Sequence, residues 1–316
     1  MNSKLSDNKN ISDKKHLTNM IKAKALSLGF SAIGITRAEA VDHETALHFR
    51  QWIGEGKQAG MEYMRNNIDK RIDPRLLMED AKSIISVALN YYPQRLIGEE
   101  QYQIAFYAYG KDYHDVVKNK LHKLTSELNL NNYRAFCDTA PILERYWAVK
   151  AGLGWTGRNH QLIIPRAGST FFLGELLLDI ELEYDSEQQN RCGNCHRCIE
   201  SCPTDALHDN QEIDANRCLS YLTIENRGEI PDGLACKMGN YIYGCDRCIQ
   251  SCPWSRFASP TAEPELQPTE ELLKLTKEQW CNLTIEEYRH IFKGSAVKRA
   301  KYEGLMRNIH AVNKKY

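Results

Sequence analysis

Between His16 and Leu28 apolar and basic residues alternate at helical spacing, and the run stops at Gly29, a natural helix terminator. Phe30 to Ile35 then reads as a short strand and His43 to Trp52 as a helix. Ser83 to Leu89 is a continuous apolar run, the pattern of a strand covered on both faces. Tyr113 to Leu128 carries an apolar stripe at Val116, Val117, Leu121, Leu124 and Leu128, which predicts a helix packed on one side. Tyr133 to Cys137 is strand-like and Glu144 to Ala151 helical. Leu162 to Ile164 and Phe171 to Ile180 read as strands on either side of a turn at Arg166-Ala167-Gly168. Strands and helices alternate, so residues 16–185 are expected to form an α/β domain with a central sheet. A cysteine-rich segment follows, over 186–257. Residues 258–269 carry three prolines and read as a linker or wrapping strand. Glu270 to Asn308 returns to a helical pattern, so 258–316 is expected to be a linker and a C-terminal helical segment.

Composition narrows the class. The chain has 316 residues, enough for a large core and about two domains. Lys and Arg number 41 and so do Asp and Glu, so no global field draws the protein to nucleic acid or membrane, and such a contact must be a local patch. No stretch approaches the ~20 apolar residues of a membrane helix. Met1 to Lys15 is polar, without the apolar core of a secretion signal, which points to the cytoplasm.

The chemistry lies in the cysteines. Cys192, Cys195, Cys198 and Cys202 are separated by two, two and three residues, and Pro203 follows. Cys245, Cys248 and Cys252-Pro253 repeat the end of that pattern, with Ile242 where the leading cysteine would fall. This is the ligand run of a two-cluster bacterial ferredoxin, in which the last cysteine of each copy crosses to the other cluster. One [4Fe–4S] cluster then takes Cys192, Cys195, Cys198 and Cys252. The other takes Cys202, Cys245 and Cys248 and lacks a fourth ligand, for which Cys218 and Cys236 are candidates. Structural zinc sites are the alternative, but the Cys-Pro step after three residues fits ferredoxins and not zinc ribbons. Cys137 and Cys281 read as ordinary buried thiols.

Several segments together resemble epoxyqueuosine reductases. Cys137 to Arg145 contains a DxxPxxER stretch; Ala151 to Asn159 is similar to an AGLGxxGKN stretch, with Arg158 for the commoner Lys; Tyr107 to His114 is similar to YAxGxDYH. Cys218-Leu219-Ser220-Tyr221 through Glu225, and Gly244-Cys245-Asp246 through Trp254, complete a resemblance that spans roughly residues 16–310. The resemblance selects Cys218 over Cys236. It implies a cobalamin-dependent oxidoreductase that converts epoxyqueuosine to queuosine at the tRNA wobble position, fed by two [4Fe–4S] clusters and an external low-potential electron donor, and acting as a monomer. No cobalamin-binding DxHxxG stretch is present, so the corrin would be held without a protein His as its lower ligand. Some members continue into a helical-repeat domain, for which this length leaves no room.

Removing an epoxide oxygen as water requires an acid. The resemblance places Asp138 there, and an acid in a closed apolar pocket would have its pKa raised and stay protonated. The plainer meaning of Asp138 is a helix N-cap before Pro141. Tyr113 and His114 are candidates for the cofactor cavity, though an aromatic pair at a helix start is commonly packing. Ser220 and Tyr221, and Cys245 and Asp246, adjoin cluster ligands and are expected near the cofactor. Met61 could cover a corrin face, although a lone Met is usually core. Lys293, Lys298, Arg299, Lys301, Arg307, Lys314 and Lys315 crowd the C-terminus against Glu303 alone, and are expected to contact tRNA unless they are only a solvated helix face. The rival readings are a corrinoid iron–sulfur reductase of a small molecule, dehalogenase-like, and a plain ferredoxin-type carrier. The carrier would need no 180-residue α/β domain, and the twin-arginine export signal usual in dehalogenases is lacking.

Overall fold

The computed structural model describes residues 2–209 and 212–314, with side chains from residue 13 onward. The strands are β1 (Ala32–Arg37), β2 (Ser83–Asn90), β3 (Gln103–Ile104), β4 (Tyr133–Phe136), β5 (Trp155–Thr156), β6 (Leu162–Ile163), β7 (Phe171–Leu178) and β8 (Tyr241–Tyr243). The first half also carries helices α1 (Asn2–Ser27), α2 (His43–Gly54), α3 (Ile68–Ile72), α4 (Tyr113–Glu127) and α5 (Glu144–Lys150). The central sheet has the order β1-β2-β7-β4, and every neighbouring pair is antiparallel.

The apolar run at Ser83–Leu89 is buried along its whole length, as its composition requires. Helix α4 lies on one face through Val116, Val117, Leu121 and Leu124. Gly174 of β7 makes that approach possible, since a Cβ there would stand 2.6 Å from Val117. Helix α5 covers the other face. Its C-terminal turn is so close to β1 that a Cβ on Gly34 would meet the Ala151 carbonyl at 1.9 Å.

The cysteine segment is tied to the first half by β8, which pairs in parallel with β3. Its two copies are also joined to each other. The one-turn helices Arg197–Glu200 and Arg247–Gln250 pack together, and the Ser201 and Ser251 hydroxyls lie 2.9 Å apart. The proline-rich segment wraps rather than dangles: Thr261 donates its amide to the Tyr92 carbonyl and Asn90 its side-chain amide to the Ser259 carbonyl.

Helical pattern over 270–308 becomes four pieces: Glu270–Lys274, Lys277–Cys281, Ile285–Ile291 and Lys301–Asn313, the last preceded by a 3-10 turn. Thr269, Thr276 and Thr284 each cap a new start, with reciprocal capping boxes at Thr276/Gln279 and Thr284/Glu287. These pieces bury Trp280, Leu305 and Ile309 in the same apolar cluster as Ile85, Leu121 and Leu176 of the sheet layer.

Candidate functional site

Asp138 sits in the loop between β4 and α5. It adopts φ = +60°, the left-handed region that Asp tolerates better than most side chains. It is not a helix cap: α5 begins after Leu143, which offers no side-chain cap. The loop is held from below by Glu144, whose carboxylate accepts the Asp138 amide. Asp138 Oδ2 accepts a 2.7 Å hydrogen bond from the Tyr113 hydroxyl and lies 3.1 Å from His114 Nε2. His114 Nδ1 lies 2.6 Å from Asp112 Oδ1, and Lys298 Nζ is 3.1 Å from Asp112 Oδ2. The Tyr113 ring is stacked between His114 and Phe172, each centroid 4.1 Å away. A line of charge thus runs from Lys298 through Asp112 and His114 to Asp138.

These contacts set the protonation states. Burial works against a charge on His114, but the Asp112 and Asp138 carboxylates overcome it and raise its pKa to about 9. His114 is therefore an imidazolium at neutral pH. The expected upward shift of Asp138 is not found. Surrounding protein strips water from it and works upward, but hydrogen bonds from His114 and Tyr113 and the charge of Arg145 hold it below the ordinary value. One side of the carboxyl still faces open space, with 59 % of the side chain exposed, so the hydrogen bonds outweigh desolvation. The pocket is polar where a closed apolar one was expected. Glu144 goes the other way: burial and the Asp138 charge raise it.

Other predicted residues gather nearby. Tyr221 meets the loop that carries Met61: its hydroxyl oxygen accepts the Gly60 amide at 2.9 Å, and a Cβ on Gly60 would clash with it at 2.7 Å. Met61 and Ser220 are half-buried. Asp246 is turned inward, where it accepts the Phe106 amide at 2.7 Å, and burial raises it to about 6. Sequence reasoning missed Tyr63, Arg71 and Arg145. Arg145 and Arg71 act on the charge balance of Asp138 and Tyr63, and only Arg145 stood inside a recognisable motif.

The cysteines fall into two neighbourhoods. Burial and then the charges of Cys252 and Cys192 raise Cys198, and burial with Cys192 and Cys195 raises Cys252. Burial with Cys245, Cys218 and Cys202 raises Cys248. Cys236 is exposed and its thiol bonds only the Gly233 carbonyl. Buried thiols gathered in this way become thiolates only when a cationic centre binds between them. Backbone amides aim at them as well: Ser220 and Tyr221 at Cys218, Arg247 at Cys245, Trp254 and Ser255 at Cys252. Among the described residues no three His, Cys, Asp or Glu side chains are gathered tightly enough for a single metal ion. Four thiols in each neighbourhood match the donor set of a [4Fe–4S] cluster.

The basic C-terminal run is dispersed. Lys298 pairs with Asp112, Arg299 makes a two-pronged pair with Glu225, and Lys314 pairs with Asp232. Arg307 is spent on the carbonyls of Leu222, Asn226 and Gly228. Lys293 and Lys301 are exposed, and Lys315 lies outside the described residues.

Residues 191–255 match a family model described as a 4Fe-4S double cluster binding domain, and residues 71–139 match one described as epoxyqueuosine reductase QueG, DUF1730. The epoxyqueuosine reductase of Cellulophaga algicola is 43% identical over 299 residues, covering 93% of this chain and 97% of that one. That of Cyclobacterium marinum is 44% identical over 305 residues, covering 94% and 97%.

This chain belongs to the epoxyqueuosine reductases.

Solved members of the family share the fold. One, crystallised with an epoxyqueuosine-modified tRNA stem loop, superposes with TM-score 0.86 at 30% identity and covers 94% of this chain and 80% of its own. The epoxyqueuosine reductase of Streptococcus thermophilus superposes with TM-score 0.83 at 32% identity, covering 92% and 79%. The chain is thus an oxidoreductase with two [4Fe–4S] clusters and cobalamin as cofactors. No helix among the described residues is long and apolar enough to cross a membrane.

Proposed function

We propose that this chain reduces epoxyqueuosine to queuosine in the anticodon of tRNA, as a cytoplasmic monomer supplied by an external low-potential donor. The observation that carries the reading is the Asp138–His114–Asp112 line: an acid set backed by a protonated imidazole, on the same molecule as an electron-transfer segment. A solved relative is bound to a tRNA stem loop carrying the same substrate. Another, from Bacillus subtilis, 29% identical with TM-score 0.86, is described with a catalytic aspartate loop swung out of its active site.

We assign Cys192, Cys195, Cys198 and Cys252 to one cluster and Cys202, Cys218, Cys245 and Cys248 to the other. Bound cobalamin, charged through the clusters, supplies a low-valent metal centre able to break a C–O bond. Met61, Tyr113, Ser220 and Tyr221 are assigned to its pocket.

The chain's own residues handle the proton. The epoxide takes up two electrons and two protons; both C–O bonds break, an alkene forms and the oxygen leaves as water. Asp138 donates to that oxygen. His114 holds a proton against Asp138 Oδ2, and Asp112 and Lys298 keep the imidazole oriented and charged. Closure of substrate over the open side of Asp138 removes water from it, which draws the shared proton onto the carboxyl. Tyr113 holds the same oxygen, Oδ2, through its hydroxyl. The test is anaerobic reaction of the reconstituted protein with an epoxyqueuosine stem loop. Queuosine should form with reductant and cobalamin and not without either; no product from fully loaded protein would refute the reading.

A further inference from the structure

The reaction needs two protons per turnover, and Asp138 can hand over one at a time. We infer that Glu175 and Glu144 form a buried carboxyl pair that stores the second proton and recharges Asp138. The inference rests on the function proposed above.

Glu175 stands in the middle of β7, opposite Ser86 on one side and Phe136 on the other. It is 0 % exposed, and the polar groups that face its carboxyl are the Ser86 hydroxyl and the Glu144 carboxyl. A buried carboxylate so placed is costly, and an apolar residue would pack there without penalty. The neighbouring Gly174 faces α4, so Glu175 faces α5, where Glu144 occupies the first turn. Glu144 in turn holds the Asp138 amide. Three carboxyls are therefore stacked from the sheet to the open side of the site.

They cannot all be ionised. Burial and then the charge of Glu144 hold Glu175 far above the usual carboxylate range. Burial and Asp138 raise Glu144, although Arg145 and His114 pull it down. Ser86 approaches Glu175 from β2. Cys137 lies among all three carboxyls, its thiol raised by burial and then by their charge, with Lys118 the one cation opposing. The pair titrates as a unit, with a proton retained at neutral pH. Once substrate covers Asp138 and shuts water from it, its newly ionised carboxyl becomes a stronger base than in the open site and draws a proton from Glu144.

The experiment uses the full-length reconstituted protein and two readouts. Infrared spectra at neutral pH should contain the C=O band of a protonated carboxyl, insensitive to added base until well above the ordinary range. Glu175→Gln should lose it, and Glu144→Gln should shift its frequency. In turnover, Glu175→Gln should slow product formation by less than the ~10²–10⁴-fold expected for the direct donor. Added acetic acid should restore the rate, and the solvent isotope effect should grow. A structural role alone would give no rescue by acid. Retention of the band unchanged in Glu175→Gln, or an unchanged rate with no dependence on added acid, overturns the inference. The infrared readout needs no turnover, so absence of queuosine formation in the parent would defeat the functional reading and leave the proton store separately testable.

Discussion

His114 lies between two carboxylates, and its proton is held by them rather than by the imidazole's own basicity. In the folded protein it titrates near about 9, against 6.5 ordinarily. A group raised in this way contributes stability that is complete below about pH 6.5 and is lost as pH rises through about 9. The difference in melting temperature between the parent and His114→Ala should therefore narrow over that window, and kcat of the parent should fall on the same limb. Thermal unfolding and turnover measured from pH 6 to about 10 check both; a gap that widens with pH contradicts the assignment. The double-cluster segment was legible because its chemistry is written in cysteine spacing, whereas Cys218 was reached only through the resemblance. The charge of Asp138 was not, because it depends on His114, which only the start of α4 brings to it. Glu175 was hidden for the same reason: inside an apolar strand it reads as part of the hydrophobic run.

Elements long enough to show a period were read correctly from the pattern: β2, α4 and β7 fall close to where their apolar positions place them. The two-residue β3 shows no period, and its pairing with β8 joins distant parts of the chain, so nothing local announces it. The broken C-terminal helices were signalled by Thr276/Gln279 and Thr284/Glu287, whose capping boxes interrupt a pattern that looks continuous in hydrophobicity. Those helices belong to the main core. Trp280 is 0 % exposed, so Trp280→Ala should cost ~3–5 kcal/mol in denaturant unfolding; a cost under ~1 kcal/mol would mean the segment is only appended. Within the cysteine segment, Cys218→Ala should lose about half of the iron after anaerobic reconstitution, while Cys236→Ala keeps all of it. Equal losses in the two variants would break the ligand assignment.

At the scale of the whole molecule, three parts that the pattern separates share one hydrophobic interior, and the first and last of them share one charge line. Lys298 of the C-terminal segment reaches Asp112 at the start of α4, so reversing it would disturb the site as well as any RNA surface. Lys293 and Lys301 are exposed and make a cleaner probe. Changing both to Glu should weaken stem-loop binding and flatten its salt dependence, because each phosphate contact releases counterions; unchanged affinity over a salt titration would put the RNA elsewhere. The central claim is that electrons from the clusters and a proton from Asp138 meet at one substrate. It is tested most directly by single turnover of Asp138→Asn, reduced beforehand, with queuosine and cluster oxidation read in one sample. The variant should keep its iron and cobalamin, leave its clusters reduced, and form queuosine ~10²–10⁴-fold more slowly than the parent. Queuosine formation at the parent rate would contradict the account.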